Sequence, residues 1–382
     1  MKNVERIIIL YPGETSSDRV SQPGNYALSR LLIRLHERGD VPIYFLNQSA
    51  RHEQWGNIEF IHFTFASFLK ILARSRGWRN TLIISQTGAF HRHAMLLRAA
   101  MPGSRVLVRL GGVYHGKQYL ESPSFLAHQR ALQRPLAVAD MIISTADGTP
   151  VDLYMAKLGI RPDRYRKWLN GFPVIPNSGQ RRRANRIVCI SRLDPVKGID
   201  YVLRSFSLAR PRLAEPYTLA IVGDGPERAN LQALAMELGV GAHVEFMGHC
   251  DDVGPHLYSS RLLVSGLANN PVMEAIATGT PVITLDLGEM EVLYGRFPNV
   301  HVVAYPPGGY GRIAASQMRE VVCRTADAIV DVLKDSACLD DLGSTPANNL
   351  YSWDQRLQDE LNLYEQLLEP ASNCRPAVAA AG

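Results

Sequence analysis

Short apolar runs alternate along the chain with longer stretches in which apolar residues recur at spacings of three and four. Residues 7–11 read as a strand of continuous apolar residues, the kind buried on both faces of a parallel sheet. Residues 24–38 read as a helix, with Ala27, Leu28, Leu31, Leu32 and Leu35 along one stripe. The buried-strand signature repeats at 41–46, 81–85, 105–110 and 141–144, separated by helical stretches near 64–76, 90–100 and 122–138. This alternation predicts a doubly wound α/β domain. Between 171 and 185 the rhythm breaks into proline, glycine and an arginine run at 181–183, which reads as a linker. Strands then recur at 186–190, 217–222, 243–246, 262–265, 281–285 and 300–304. A helix at 199–210 aligns Ile199, Val202, Leu203 and Phe206. The predicted fold class is therefore α/β, with two Rossmann-like doubly wound domains. The first spans 1–172, the linker 173–185 and the second 186–350. A terminal helix at 351–369 opens on Ser352, a good N-cap residue, and a tail at 370–382 reads as disordered.

Composition narrows the class without naming it. With 382 residues, 46% hydrophobic and 20% charged, the chain has material for about two domains, at roughly 100–200 residues each. No apolar run approaches the ~20 residues that span a bilayer. No charged-then-apolar leader opens the chain, so a cytoplasmic protein is expected. The five cysteines lie far apart with no Cys-x-x-Cys, which predicts reduced thiols and no metal site. The net charge of +5 hides an asymmetry. Residues 1–170 hold 23 Lys and Arg against 12 Asp and Glu, and the remainder hold 18 against 24, giving +11 and −6. A basic half can meet nucleic acid, anionic headgroups or a phosphorylated substrate, or simply be an arginine-rich surface. Of these, peripheral contact with the inner face of an anionic membrane is retained as an expectation, and nucleic acid is not expected.

Three loops carry candidate chemistry. The first, Ser191-Arg192-Leu193-Asp194-Pro195-Val196-Lys197-Gly198, follows a predicted strand and precedes a helix. Two cations beside a helix N-terminus suit a diphosphate, although two exposed surface cations would read the same. The second, Gly223-Asp224-Gly225-Pro226, ends the next strand and also fits plain turn chemistry. In the third, Asn269-Asn270-Pro271-Val272-Met273-Glu274, Glu274 is expected in the first turn of a short helix. A carboxylate there can accept two hydroxyl hydrogen bonds, as a ribose diol requires, or merely favour the helix start. Pro271 is expected to hold Asn270 away from helical backbone.

In this order and spacing the three loops resemble the nucleotide-sugar-binding domain of family-4 glycosyltransferases, retaining enzymes of the two-domain GT-B fold. His243-Val244-Glu245-Phe246-Met247-Gly248, Leu257-Tyr258-Ser259-Ser260 and Ser352-Trp353 support the likeness over residues 185–368, and Ala139-Asp140-Met141-Ile142-Ile143-Ser144 extends it into the first half. The resemblance implies a cleft between the domains and a terminal helix that crosses back onto the first. It implies that Arg192 and Lys197 hold the donor diphosphate and stabilise the leaving group without a metal, and that no separate cofactor is needed. By the same likeness Glu274 holds the ribose, Val272 and Met273 offer backbone N–H groups, and Gly223, Asp224 and Gly225 pack near base or phosphate. His115, in the glycine-rich loop after residues 105–110, is the first-domain candidate for the transferred sugar, and a surface-loop histidine would look alike. Gly24 either lets backbone approach the donor phosphates or starts a helix. His91 and His93, two apart, read as surface or core residues.

One departure stands out. The family carries a second acidic residue eight positions before the ribose-binding glutamate, and here that position is Gly266. Asn269 and Asn270 are the expected substitutes for reading the donor sugar. The implied partners are a nucleoside-diphosphate sugar of UDP or GDP type and an acceptor hydroxyl on a glycan, a lipid-linked sugar or a small metabolite such as an aminoglycoside. A sugar-nucleotide epimerase on the same fold and a weakly catalytic nucleotide-sugar-binding subunit are the alternatives.

Overall fold

The computed structural model describes residues 1, 3–20, 26–113, 120, 122–173, 175, 184–266, 270–286, 288–304, 315–334 and 351–369. Gly24, His115 and Asn269, most of the expected linker and the 370–382 tail lie outside the described residues.

The first domain is built on eight strands: β1 (Arg6–Leu10), β2 (Ile43–Asn47), β3 (Glu53–Trp55), β4 (Ile58–His62), β5 (Thr81–Gln86), β6 (Arg105–Leu110), β7 (Met141–Thr145) and β8 (Tyr165–Trp168). They pair in the order β3-β4-β2-β1-β5-β6-β7-β8, all parallel except the β3–β4 hairpin. The central strands are buried throughout because both faces are covered, which is why they read as unbroken apolar runs. Alternate residues separate the faces. Ile7 and Ile9 pack with Leu28, Leu31 and Leu35 of helix Tyr26–Arg38. Ile8 and Leu10 pack with Phe68, Ile71, Ala94 and Leu97 on the other side.

The second domain has six parallel strands: β9 (Arg186–Ile190), β10 (Thr218–Val222), β11 (Val244–Gly248), β12 (Leu262–Ser265), β13 (Val282–Asp286) and β14 (Val300–Ala304). Their order is β11-β10-β9-β12-β13-β14. Helices Ile199–Ala209 and Ala315–Lys334 close one face over Ile187, Leu219 and Ile283.

Helix Trp353–Leu368 returns to the first domain. Ser352 caps it by accepting from Gln355 N, and the Phe172 N–H donates to Tyr351 O at 2.8 Å, so outgoing and returning chain run side by side. Trp353, Leu357, Leu361 and Tyr364 join the core under β1 and β5. Within that core Glu360 accepts from Arg356 Nη1 at 2.9 Å and Tyr364 Oη at 2.5 Å. It also ion-pairs with Arg109 Nε of β6 at 2.7 Å, all four side chains being buried. Arg356 lies over the Trp168 ring at 4.4 Å.

Candidate functional site

The second sheet reverses direction beside β9. From β9 the chain moves outward to β10 and β11, then returns to the other side of β9 for β12, β13 and β14. At such a reversal the loops after the two central strands diverge, and the crevice at their carboxyl ends is where α/β sheets take ligands. The loop after β9 carries Arg192 and Lys197, and the loop after β12 leads to Glu274, so both flank this crevice.

The loop after β9 is tied to its neighbour by backbone. Ser191 N donates to Val222 O at 3.0 Å, Leu193 N to Asp224 O at 2.9 Å and Glu227 N to Leu193 O at 3.0 Å. That approach is open only to glycine. A Cβ on Gly223 would fall 1.9 Å from Ser191 O, one on Gly225 2.5 Å from Leu193 O, and both have positive φ (140° and 157°). Gly223 and Gly225 thus set the loop that presents Arg192. Asp224 is exposed and turns back to accept from Gly225 N at 2.8 Å, with Arg228 3.2 Å away.

Arg192 is 71% exposed and ion-paired with Asp194 of its own loop. Lys197 closes a short 3-10 turn, and Gly198 (φ 65°) leads from it into helix Ile199–Ala209. Burial, and after it the charge of Arg192, holds Lys197 below the usual lysine range, while Asp147 and Asp194 oppose that drift. An anion shared by the two cations would reverse it.

Past β12 the missing carboxylate finds a steric reason. A Cβ at Gly266 would lie 2.3 Å from the Lys197 carbonyl oxygen and 2.8 Å from that of Gly198. Backbone of the two central loops abuts here, so no acidic side chain fits at this position.

Helix Asn270–Thr278 follows, and two expectations need correction. Asn270 is the first helical residue, because Pro271 has no N–H to lose and its φ suits a first turn. Glu274 consequently sits fifth, in the second turn. Of the N–H groups expected to face the cleft, that of Val272 belongs to the open first turn. Met273 is the fourth residue of the helix. Both side chains are buried. Glu274 has no hydrogen-bond or ion-pair partner among the described residues, and burial pushes its carboxyl up from 4.5 to about 7.

A carboxyl pushed up in the fold costs stability as pH rises from its unfolded value through its folded one, and the full cost persists above that. Glu274→Gln is therefore expected to raise the melting temperature of the ligand-free chain at pH well above 7 and to leave it unchanged below 4.5. Equal shifts at both pH values would show that Glu274 is not held in that unpartnered, desolvated state.

Loops of the first domain meet this rim. Glu289 N donates to Gly148 O at 2.9 Å, Lys167 Nζ lies 3.0 Å from Glu289 Oε2, and Asn170 Nδ2 donates to Asn270 Oδ1 at 3.2 Å. Asn270, expected to read a sugar, is thus engaged with the first domain. Asp147, in the loop after β7, is pushed up by burial against hydrogen bonds from Thr149, and its charge acts on Lys197. Asp147, Lys167 and Glu289 carry no motif that marks them in sequence. Thr87 is another such residue. It follows β5 at the reversal of the first sheet and has φ 59°, a left-handed conformation that a β-branched side chain rarely adopts.

His93 is packed edge-on against Phe63, Phe68 and Phe90, and burial lowers its pKa. Among the described residues no group of three or more His, Cys, Asp or Glu could hold a metal ion. Cys189, Cys250 and Cys323 are free thiols.

Comparison with known proteins bears on both domains. Residues 184–315 match the family model described as glycosyl transferases group 1. A lipopolysaccharide core biosynthesis glycosyltransferase of Rhizobium meliloti is 40% identical over 70 residues, 17% of this chain and 21% of that protein. An uncharacterized glycosyltransferase of Methanocaldococcus jannaschii is 26% identical over 288 residues, 68% of this chain and 67% of that one. The chain thus spans about a fifth of the first relative and about two thirds of the second. Among solved structures, Anabaena Alr3699/HepE in complex with UDP and glucose superposes with TM-score 0.67 at 14% identity, over 94% of this chain and 99% of that one. No helix among the described residues is long and apolar enough to cross a membrane. The chain has the two-domain GT-B fold, and its second domain carries the glycosyl transferases group 1 match across the very loops that line the crevice.

Proposed function

We propose that this chain is a glycosyltransferase that moves a sugar from a nucleoside-diphosphate donor to an acceptor hydroxyl, with retention and without a metal. The observation that carries the reading is the crevice beside β9. It sets two adjoining cations, Arg192 and Lys197, on one side, and on the other a half-buried carboxyl, Glu274, with no partner among the described residues. A nucleoside diphosphate answers both, with a diphosphate for the cations and a ribose diol for the carboxylate. In the reaction the acceptor oxygen bonds to the sugar's anomeric carbon. The bond from that carbon to the diphosphate breaks, and its electron pair leaves with the phosphate oxygen. Arg192 and Lys197 hold the charge that develops there, and the hydroxyl proton passes to the departing diphosphate. The acceptor is assigned to the reversal of the first sheet between β1 and β5, where Thr87 sits.

The test is to incubate the full chain with UDP- and GDP-sugars and follow the products. Slow release of free sugar, with the anomeric configuration kept at first appearance, supports transfer. A 2-epimer would favour the epimerase, and calorimetric binding without turnover would favour a donor-binding subunit.

A further inference from the structure

On its own side of the crevice the second domain has committed its loop carboxylates elsewhere. Asp194 pairs with Arg192, and Asp224 with Gly225 N and Arg228. Asp286 Oδ1 accepts from Gly288 N at 2.8 Å and Met290 N at 3.0 Å, and Glu289 holds Lys167. Gly266 has no room for an acid, and Asn270 is engaged with Asn170. The first domain's wall is different. Its loop after β7, residues 146–150, rests directly on the second domain. Gly148 O accepts from Glu289 N at 2.9 Å, and a Cβ on Gly148, whose φ is 88°, would lie 2.0 Å from Met290 Sδ. Half-buried Asp147 adjoins that contact. Its Oδ1 accepts from Thr149 N at 3.1 Å and Thr149 Oγ1 at 2.5 Å, which fixes that oxygen, and no described residue donates to its Oδ2. Its charge acts on Lys197, the residue whose carbonyl closes the space at Gly266.

We propose that Asp147 of the first domain supplies the carboxylate that Gly266 excludes from the second, its Oδ2 accepting hydrogen bonds from hydroxyls of the donor sugar. This assignment rests on the nucleotide-sugar reading of the crevice and adds the residue that reads the sugar. A carboxylate suits the task because hydrogen bonds from hydroxyls to an ionised oxygen are roughly twice as strong as neutral ones. The two domains then divide one ligand. The second holds the diphosphate with Arg192 and Lys197 and the ribose with Glu274, and the first holds the sugar with Asp147. Toward a bare diphosphate Asp147 offers only repulsion, because both are anions beside Lys197. The carboxylate therefore favours the intact donor over the diphosphate product, which helps the product to leave. A carboxylate that merely steadied Lys197 would serve both ligands alike.

The experiment is calorimetric titration of the full chain and its variants with UDP and GDP, and with UDP-glucose, UDP-N-acetylglucosamine and GDP-mannose. Asp147→Asn is expected to weaken the tightest-bound sugar nucleotide by ~10-fold or more, the loss of a charge-assisted hydrogen bond. The matching bare diphosphate should bind as before or slightly tighter. Thr149→Val keeps the charge but releases Oδ1, and it should act in the same direction by a smaller factor. Melting curves without ligand report whether either variant has lost its fold. Little change is expected for Asp147→Asn, because asparagine keeps the size of aspartate and can still accept from Thr149. A wild-type chain that binds neither diphosphate would overturn the nucleotide-sugar reading, and this assignment with it. Three results with diphosphate binding intact would overturn this assignment alone. Equal losses for sugar nucleotide and diphosphate would make Asp147 a support for Lys197. An Asn variant that binds like wild type, or a wild type that binds none of the three sugar nucleotides, would show that Asp147 does not hold the sugar.

Discussion

Arg192→Ala and Lys197→Ala are each expected to lower the rate of sugar transfer by ~10²–10³-fold, the cost of removing one group that stabilises developing negative charge. In the proposed reaction the diphosphate gains charge as its bond to the sugar breaks, and these two side chains are the cations the crevice offers at that point. Folding stability should respond far less. Arg192 is largely exposed and, among the described residues, paired only with Asp194 of its own loop, and exposed pairs contribute ~0–1 kcal/mol. Lys197 is half-buried against the charge of Arg192, so its loss removes a repulsion as well as contacts. Initial rates with saturating donor, beside melting curves, check both halves. Alanine variants that keep the parental rate would remove the diphosphate from this loop and with it the proposed reaction.

Glu360→Ala is expected to destabilise the first domain by ~3–5 kcal/mol, the cost of leaving buried charge without its partner. Glu360 is fully buried between Arg109 of β6 and Arg356 of its own helix, and Tyr364 donates to it. Burial alone would raise its pKa, but the two guanidiniums and the Tyr364 hydroxyl outweigh burial and hold it below the ordinary range. A carboxyl lowered in the fold adds stability above its unfolded pKa and loses it only as pH falls through the folded value. At neutral pH the full effect should therefore appear. Chemical denaturation of wild type and variant near neutrality measures it, and the difference should shrink in strong acid. A loss below ~1 kcal/mol at neutral pH would show that the arginines find water or other partners once the helix shifts. The network also bears on function, since Trp353–Leu368 joins the second domain's chain to the first domain's core.

Most strands of the two sheets were legible, the central ones because they are buried on both faces. Continuous apolar stretches such as Ile7-Ile8-Ile9-Leu10 or Leu262-Leu263-Val264 have few other uses in a chain of this composition. The edge strands of the first sheet were not legible, nor was β4, whose Glu59 interrupts its apolar run. β3, with Glu53, Gln54 and Trp55, and β8, with Tyr165, Arg166, Lys167 and Trp168, are half exposed and carry no apolar period. Local chemistry also told where the loops at the crevice fall, since glycines, cations and a proline mark strand ends at short range. Pro271 was misread, because its effect on the preceding residue yielded to its fitness for a first helical turn.

What sequence alone determined is the local part: which segments are buried strands, which helices have one apolar side, and which loops hold charge. Only the folded chain brings together residues that share no local pattern. Arg109 meets Glu360 across 251 positions, and Lys167 meets Glu289 across 122. The vacancy at Gly266 is explained by a carbonyl oxygen of Lys197 that no reading of neighbours would place there. The outer apolar residues of Phe65–Arg74 look, by spacing, like any others on an amphipathic helix. Their exposure is decided by which side of the helix the sheet covers, and that depends on the direction of the crossover and the pairing of strands far apart in the chain.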